Sequence, residues 1–263
     1  MGTEHFDSKA ADWDNDPDKV SRAQEVAAAV AASVPLTEST RLLEYGAGTG
    51  LVSQSLSERV AEVVLADNSA GMREVMSQKI EAGTLPAQAR VWDLDLERDP
   101  VPDEEFDLVV TSMVLHHVRD LPAVLTGFAA LLRPGGHLFI LTVNQWFPLI
   151  VLGRLLPHGI RQTVNAFLTH SDERDTFPAY YRANTAKALA GLGQAAGLTP
   201  VNIQYLCHPP TYFAFSPLGF RIWAAFDRQI LARKTFAGIR HMLMGCFEKK
   251  PDAGELKTEN RES

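Results

Sequence analysis

Three glycines fall within five residues, Gly46, Gly48 and Gly50, directly after the apolar run Leu42-Leu43-Glu44-Tyr45. No other feature restricts the fold of this chain as much. Glycine reaches positive φ without steric cost and lets a ligand approach the backbone, so a glycine-rich loop between a strand and a helix marks a binding turn. Residues 40–45 read as a strand, and helix signals resume over 51–58. A second strand at 62–66 stops at Asp67, 21 residues after Gly46. A carboxylate in that place can accept hydrogen bonds from both hydroxyls of a ribose.

The alternation continues beyond this unit. A helix is expected over 70–82, a strand over 89–92 ending at Asp93, and a strand over 106–111. A helix over 120–132, a turn at Arg133-Pro134-Gly135-Gly136 and a strand over 137–143 follow. Strands alternating with helices of this length predict a parallel sheet with right-handed crossovers. Ahead of the sheet, Asp16 can cap a helix that Pro17 opens and that runs to about residue 33. After Asn144 the pattern changes. Residues 145–184 are apolar and aromatic, broken by Pro148, Pro157 and Pro178, and read as an inserted helical segment. A helix over 185–196 stops at Gly197, a strand covers 201–207, a helix 217–234, and a last strand 241–248. The organisation expected is a helical leader (1–40), a ligand-binding core (41–143), an inserted helical lid (144–184), the rest of the α/β core with a second helical insertion (185–250), and a disordered tail (251–263).

Composition narrows the functional classes. Hydrophobic residues make up 46% and charged residues 22%, so the chain has the apolar content for a packed core. The net charge is −7 with no run of lysines or arginines, which argues against nucleic acid as a partner. Cys207 and Cys246 lie far apart in apolar runs and read as two buried thiols, with neither disulfide nor zinc spacing. The first residues carry no basic and apolar signal pattern, and the longest apolar stretch, 146–153, is too short to span a bilayer. The expected location is the cytoplasm.

Two cofactor classes compete for the glycine loop. A dinucleotide loop places its third glycine one residue later than Gly50, where this chain has Leu51. Glu44 beside the loop suits a cationic ligand, such as the ammonium of a methionine moiety, better than a pyrophosphate. Spacing and charge favour a sulfonium cofactor over NAD.

On these residues the chain resembles class I S-adenosylmethionine-dependent methyltransferases of the small-molecule, bacterial type. Leu43-Glu44-Tyr45-Gly46-Ala47-Gly48-Thr49-Gly50 resembles their first motif and Asp67-Asn68-Ser69-Ala70-Gly71-Met72 their second. Asp93-Leu94 is similar to the adenine-contacting pair. Phe106-Asp107-Leu108-Val109 with Leu115-His116-His117-Val118 is similar to the fourth strand and its exit, and residues 132–138 to the fifth-strand motif. Residues 6–22 resemble the leader of small bacterial members. The resemblance implies a Rossmann-like, doubly wound, mostly parallel seven-stranded sheet with helical insertions after the fifth strand and before the last. It implies S-adenosylmethionine as cofactor, with Glu44 and Gly46 at the methionine part, Gly48 and Gly50 as further cofactor-binding residues of the loop, Asp67 at the ribose, and Met72, Asp93 and Leu94 at the adenine. Asp95 lies close enough to replace Asp93.

Methyl transfer is an in-line displacement with an activated leaving group, and alignment alone can supply on the order of 7–11 kcal/mol. A hydroxyl acceptor gains from a general base. His116 and His117 follow the fourth strand and are the candidate catalytic residues, His117 ahead by its nearness to the loop; the alternative is that they only pack against the cofactor. No spacing supports a metal held by His116, His117 and Asp120. His208-Pro209-Pro210-Thr211 superficially matches the motif of nitrogen-directed enzymes, but it stands at the wrong strand. The inserted segment leaves the fifth strand at the ligand-binding edge of such a sheet, so Trp146, Tyr180, Tyr181 and Arg182 are the candidate acceptor-contacting residues. A small-molecule or lipid-like acceptor, hydrophobic or aromatic, is expected. Trp146 and the apolar residues after it could also touch a membrane surface weakly, with Arg154, His158 and Arg161 meeting the headgroups. The competing functional readings are a cofactor-binding regulator or inactive partner subunit, and an NAD-dependent oxidoreductase.

Overall fold

In the computed structural model of the protein, residues 3–155, 180–207 and 217–251 are described. Seven strands form one sheet: β1 (Arg41–Tyr45), β2 (Glu62–Ala66), β3 (Arg90–Trp92), β4 (Phe106–Ser112), β5 (Leu132–Val143), β6 (Leu198–Leu206) and β7 (Met242–Lys249). Their order is β3-β2-β1-β4-β5-β7-β6. The first five strands run parallel, while β7 is inserted antiparallel between β5 and β6. The direction of winding reverses between β1 and β4, and in such sheets ligands bind at that point, beyond the carboxyl ends of the strands.

Strand side chains alternate between two faces, so consecutive apolar residues serve two cores. Leu43, Val64, Val109 and Leu138 face one core, with α5 (Leu121–Leu131) and α7 (Ala186–Ala195) packed on it through Leu125, Phe128 and Leu189. Leu42, Val63, Leu108 and Phe139 face the other, under α2 (Pro17–Ser33), α3 (Leu51–Leu56) and α4 (Ala70–Glu81), which contribute Val30, Leu56 and Met76. The helix starts are set locally. Asp16 accepts from the Asp18 N–H at 3.0 Å, Ser69 from Met72 at 3.2 Å, Asp120 from Ala123 at 3.1 Å and Thr185 from Ala188 at 3.1 Å.

Two strands differ from the expected pattern. Residues 133–136, expected as a turn before the fifth strand, are a bulge inside it. Leu132 already pairs with Phe106, and the register then jumps to His137 against Leu108, with Gly135 at φ +78° absorbing the extra residues. Strand β6 starts at Leu198, three residues earlier than expected, because Gly197 at φ +82° turns the chain straight from α7 into the sheet. Of the two thiols expected to be buried, Cys246 is, whereas Cys207 is half-exposed at the end of β6.

The N-terminal leader is more than the single helix expected. Before α2 it forms α1 (Glu4–Lys9) and a 3-10 turn, Ala10–Asn15. The inserted segment leaves and rejoins the core at one spot. Asn184 is buried and donates to the Thr142 hydroxyl at 3.0 Å and the Val143 carbonyl at 2.7 Å, while its own carbonyl accepts from Gln145. The segment begins with α6 (Pro148–Leu155); residues 156–179 of the expected lid lie outside the described residues, as do 252–263 of the expected tail. The second insertion holds α8 (Pro217–Phe226), continued by a π-helical turn (Asp227–Leu231) and a 3-10 turn (Lys234–Ile239). Among the described residues no helix is long and apolar enough to cross a membrane.

Candidate active site

A cavity of about 360 Å³ opens at the carboxyl ends of β1, β2 and β4. Its floor is the glycine loop. Gly46, Gly48 and Gly50 have φ of +69°, +57° and +77°. The N–H groups of Gly46 and Ala47 both bond to the Ala66 carbonyl, at 2.8 and 3.0 Å, so the last residue of β2 fixes the loop. A Cβ on Gly46 would stand 2.2 Å from Val114 Cγ2. Gly46 and Gly48 line the cavity, whereas Gly50 stands behind the wall and starts α3.

Two carboxylates face this floor. Asp67 Oδ2 accepts from the Gly48 N–H at 2.8 Å and Oδ1 from Ser69 at 2.9 Å. Burial raises its pKa above the ordinary carboxylate value in spite of those bonds. Each carboxylate oxygen carries two lone pairs, so both can accept again. Glu44, at the end of β1, is buried; Oε2 accepts from the Ser53 N–H at 2.9 Å, and burial pushes its pKa up to about 7. A carboxyl held in this way is stabilised by any cation that enters the cavity.

The apolar wall includes Met72 and Leu94, both buried. Beside them the structure departs from the sequence expectation. Asp93 is exposed, outside the cavity, and pairs with Arg73 at 2.8 Å; Arg73 also donates to the Asp67 carbonyl at 2.9 Å. Strand β3 ends at the sheet edge, and the first acid after it that reaches the cavity is Asp95, to which Asn68 donates at 3.2 Å.

His116 and His117 both line the cavity, their ring centroids 4.0 Å apart. His116 is buried and its Nδ1 has no hydrogen-bond partner. Burial, then the neighbouring His117 and Arg22, pull its pKa down to about 3, so the ring is neutral at ordinary pH and can accept a hydrogen bond. Just before this pair Met113 takes a φ of +62°, uncommon for a side chain of its size, where the chain turns off β4.

None of the four residues expected to contact an acceptor lines the cavity. Trp146 points to solvent. Tyr180 donates its N–H to the His116 carbonyl at 2.8 Å, and its hydroxyl accepts from Arg119 at 3.0 Å. Arg182 bonds to the Arg119 carbonyl and lies over the Tyr180 ring. Tyr181 follows at φ +49°. This cluster braces the histidine loop from outside.

The residues that sequence reasoning missed come from the leader. Thr3, Phe6, Trp13, Lys19, Arg22 and Ala23 close the cavity on the side opposite the sheet. Asp7 accepts from the Ser69 hydroxyl at 2.6 Å and the Gly71 N–H at 2.8 Å, which hold its carboxyl below the ordinary value. Asp14 accepts from the Thr49 hydroxyl and pairs with Lys79 at 2.8 Å. Trp13 covers Gly48, and the Lys19 ammonium lies 3.9 Å from the Trp13 ring centroid. The leader is thus a strap latched at two points. The only sequence signal for it was the resemblance of residues 6–22 to a family leader.

Fold and cavity together define an α/β protein with a nucleoside-type pocket at the switch point of its sheet. The methyltransferase-domain family model matches residues 19–203, and the chain belongs to that family. A ubiquinone biosynthesis O-methyltransferase of Xylella fastidiosa is 33% identical over 144 residues, 51% of this chain and 56% of that one. The chain spans about half the length of the several ubiquinone biosynthesis O-methyltransferases it matches. Among solved structures, the methyltransferase bound to the Haloferax volcanii Trm112 activator superposes with a TM-score of 0.62 at 17% identity, covering 94% of this chain and 98% of that one. The N-methyltransferase NodS of Bradyrhizobium japonicum, solved with S-adenosylhomocysteine, gives 0.58 at 13% identity with the same coverage. At these identities the likeness is one of fold.

Proposed function

We propose that the protein transfers the methyl group of S-adenosylmethionine to a small hydrophobic or aromatic acceptor, with a hydroxyl oxygen as the favoured atom and nitrogen or carbon as alternatives. The observation that carries this reading is the convergence of the positive-φ glycine floor, Glu44 and Asp67 on one cavity at the switch point. The residues fit the cofactor. Gly48 is open where a Cβ would stand, its nearest neighbour there being Trp13 Nε1 at 3.9 Å, Glu44 is a buried carboxylate short of positive charge, and Asp67 has spare lone pairs. Asp67 would hold the ribose hydroxyls, Met72 and Leu94 the adenine faces, and Asp95, in place of Asp93, its amino group. Glu44 would balance the positive charge, and Arg22 is the cation placed for the methionine carboxylate.

Bound there, S-adenosylmethionine supplies a methyl group on a positively charged sulfur that leaves as a neutral thioether, so no acid is required. The protein's part is alignment and water exclusion, for which the strap and the apolar wall are built. His116 lines the cavity, and its neutral ring would turn a nitrogen toward the acceptor hydroxyl and orient its lone pair. A ring with its pKa pulled to about 3 is a weak base, so its role is orientation more than early proton removal. Phe6, Trp13, Met113 and Val114 give the acceptor side aromatic and apolar walls. The hydroxyl preference is supported by this neutral imidazole and by the name shared by the ubiquinone relatives. The test is transfer of labelled methyl to a panel of catechols, phenols and amines. Phenolic acceptors are expected to turn over, and His116→Ala to lower kcat by roughly tenfold, the loss of one orienting hydrogen bond, with unchanged cofactor Kd. Tight cofactor binding with no transfer to any acceptor would favour a regulatory subunit instead.

A further inference from the structure

The outer face of α8 takes no part in the cavity, and its chemistry differs from the rest of the molecule. Leu218 and Ile222, one helical turn apart, are 69% and 63% exposed, and Phe236 on the following 3-10 turn is exposed as well. Arg221 on α8, Arg228 on the π-helical turn, and Arg233 and Lys234 just after it are exposed as well. None of these four side chains pairs with a carboxylate among the described residues. Between residues 217 and 241 the sequence contains one acid, Asp227, and it is buried. A chain of net charge −7 therefore presents, on and just after an apolar helix face, four cations with no carboxylate partner among the described residues.

A different side of α8 meets the first insertion. Asn144 donates to the carbonyls of Gly238 and Arg240, both at 2.8 Å, and the buried Phe147 packs edge-on against Trp223 with ring centroids 5.8 Å apart. The two insertions are thereby fastened together at their bases. Trp146 and Leu152, next to this junction, are 54% and 56% exposed.

We infer that this face docks the protein on an anionic bilayer surface. The helix would lie in the plane of the headgroups, with Leu218 and Ile222 at the acyl boundary. The flanking arginines and Lys234 would sit among the lipid phosphates, and Trp146 at the interface, where its amphipathic ring is favoured. Charge decides between occupants. A second copy of the same face would set four cations against four, whereas anionic headgroups complement them. Nucleic acid is a poorer match, because the centre of the face is aliphatic and the cations are at its flanks. The inference stands apart from the catalytic reading and goes beyond it: it would hold even if the transferred group were another. If an apolar acceptor is dissolved in the lipid, docking also places the protein where that acceptor is.

The test is co-sedimentation of the full chain with vesicles of phosphatidylcholine alone and with added phosphatidylglycerol, at low and high salt. S-adenosylhomocysteine affinity and melting temperature serve as folding controls. Wild type is expected to sediment with the anionic vesicles only and to be released by salt. R221E/R228E should lower partitioning by about tenfold or more, and L218D/I222D should abolish it, both with the controls unchanged. The inference is overturned if wild type stays in the supernatant with both vesicle types, or if both double variants sediment like wild type. It is overturned as well if the variants merely turn a dimer into a monomer, which would make the face a contact between copies.

Discussion

Glu44 couples the site to pH. Its carboxyl rises from the ordinary 4.5 to about 7 because it is buried. The folded protein therefore keeps a proton that the unfolded chain loses. That contribution to stability is complete below about 4.5, declines as pH rises, and is gone above about 7. A cation entering the cavity reverses the preference and expels the proton. Affinity for S-adenosylmethionine is accordingly expected to rise with pH up to about 7 and then level off. Proton release should appear as a buffer-dependent heat in calorimetry and vanish in Glu44→Gln; a pH-independent affinity would contradict this. Gly46 gives a second prediction. An alanine there meets Val114 and must also hold φ +69°, so Gly46→Ala should cost about 2 kcal/mol and lower the melting temperature by roughly 4–8 °C. That Glu44, Gly46, Gly48 and Asp67 share a cavity was legible in the sequence because their spacing is local to one strand-turn-helix unit and the end of the next strand, whereas Gly50 stands behind the wall. Asp95 was legible only as the alternative to Asp93, and Arg22 was not singled out for its place in the cavity. The choice between Asp93 and Asp95 depends on which one Arg73 captures, and Arg22 reaches the cavity only through the packing of α2.

At the scale of elements, the strap is the part most open to test. Gly71 lies in the first turn of α4, and a Cβ there would sit 2.7 Å from the Asp7 Cα. Helix propensity alone predicts that Gly71→Ala stabilises α4 by up to about 1 kcal/mol. The contact with the strap predicts instead that α1 is displaced and the Asp7 bonds to Ser69 and Gly71 are lost. Charge-assisted bonds contribute about 1.5–3 kcal/mol, so S-adenosylhomocysteine should leave roughly tenfold faster in stopped-flow experiments, with the core melting unchanged. An unaltered exit rate would show that the strap does not gate the cavity. The sheet strands were readable as apolar runs buried on both faces, and β2 falls at its expected residues, 62–66. The bulge in β5 was not, because Pro-Gly-Gly has the composition of a turn whether or not the strand continues around it. The 3-10 turn at Ala10–Asn15 carries no apolar periodicity, and its place over Gly48 is decided by Asp14 and Lys79, far apart in sequence.

For the whole molecule, the pocket is assembled from segments that extend from Thr3 to Val118, so binding must be felt by the entire fold. A ligand that binds only the native state at a hundredfold excess over Kd adds about 2.7 kcal/mol. For a chain of this size that is a rise of roughly 5–10 °C in melting temperature. The alternating strand and helix pattern made the doubly wound architecture legible; the closing of the cavity by the leader was not, since no local pattern shows what a terminal segment packs against. The central claim is that this cavity holds S-adenosylmethionine. Calorimetric titration of the wild type and Asp67→Ala with S-adenosylmethionine, S-adenosylhomocysteine and NAD tests it most directly. The account predicts binding of both adenosyl compounds, none of NAD, and at least about tenfold weaker binding by the variant, because Asp67 would hold the ribose through charge-assisted hydrogen bonds. Binding of NAD alone, or of no nucleoside by a folded sample, would contradict it.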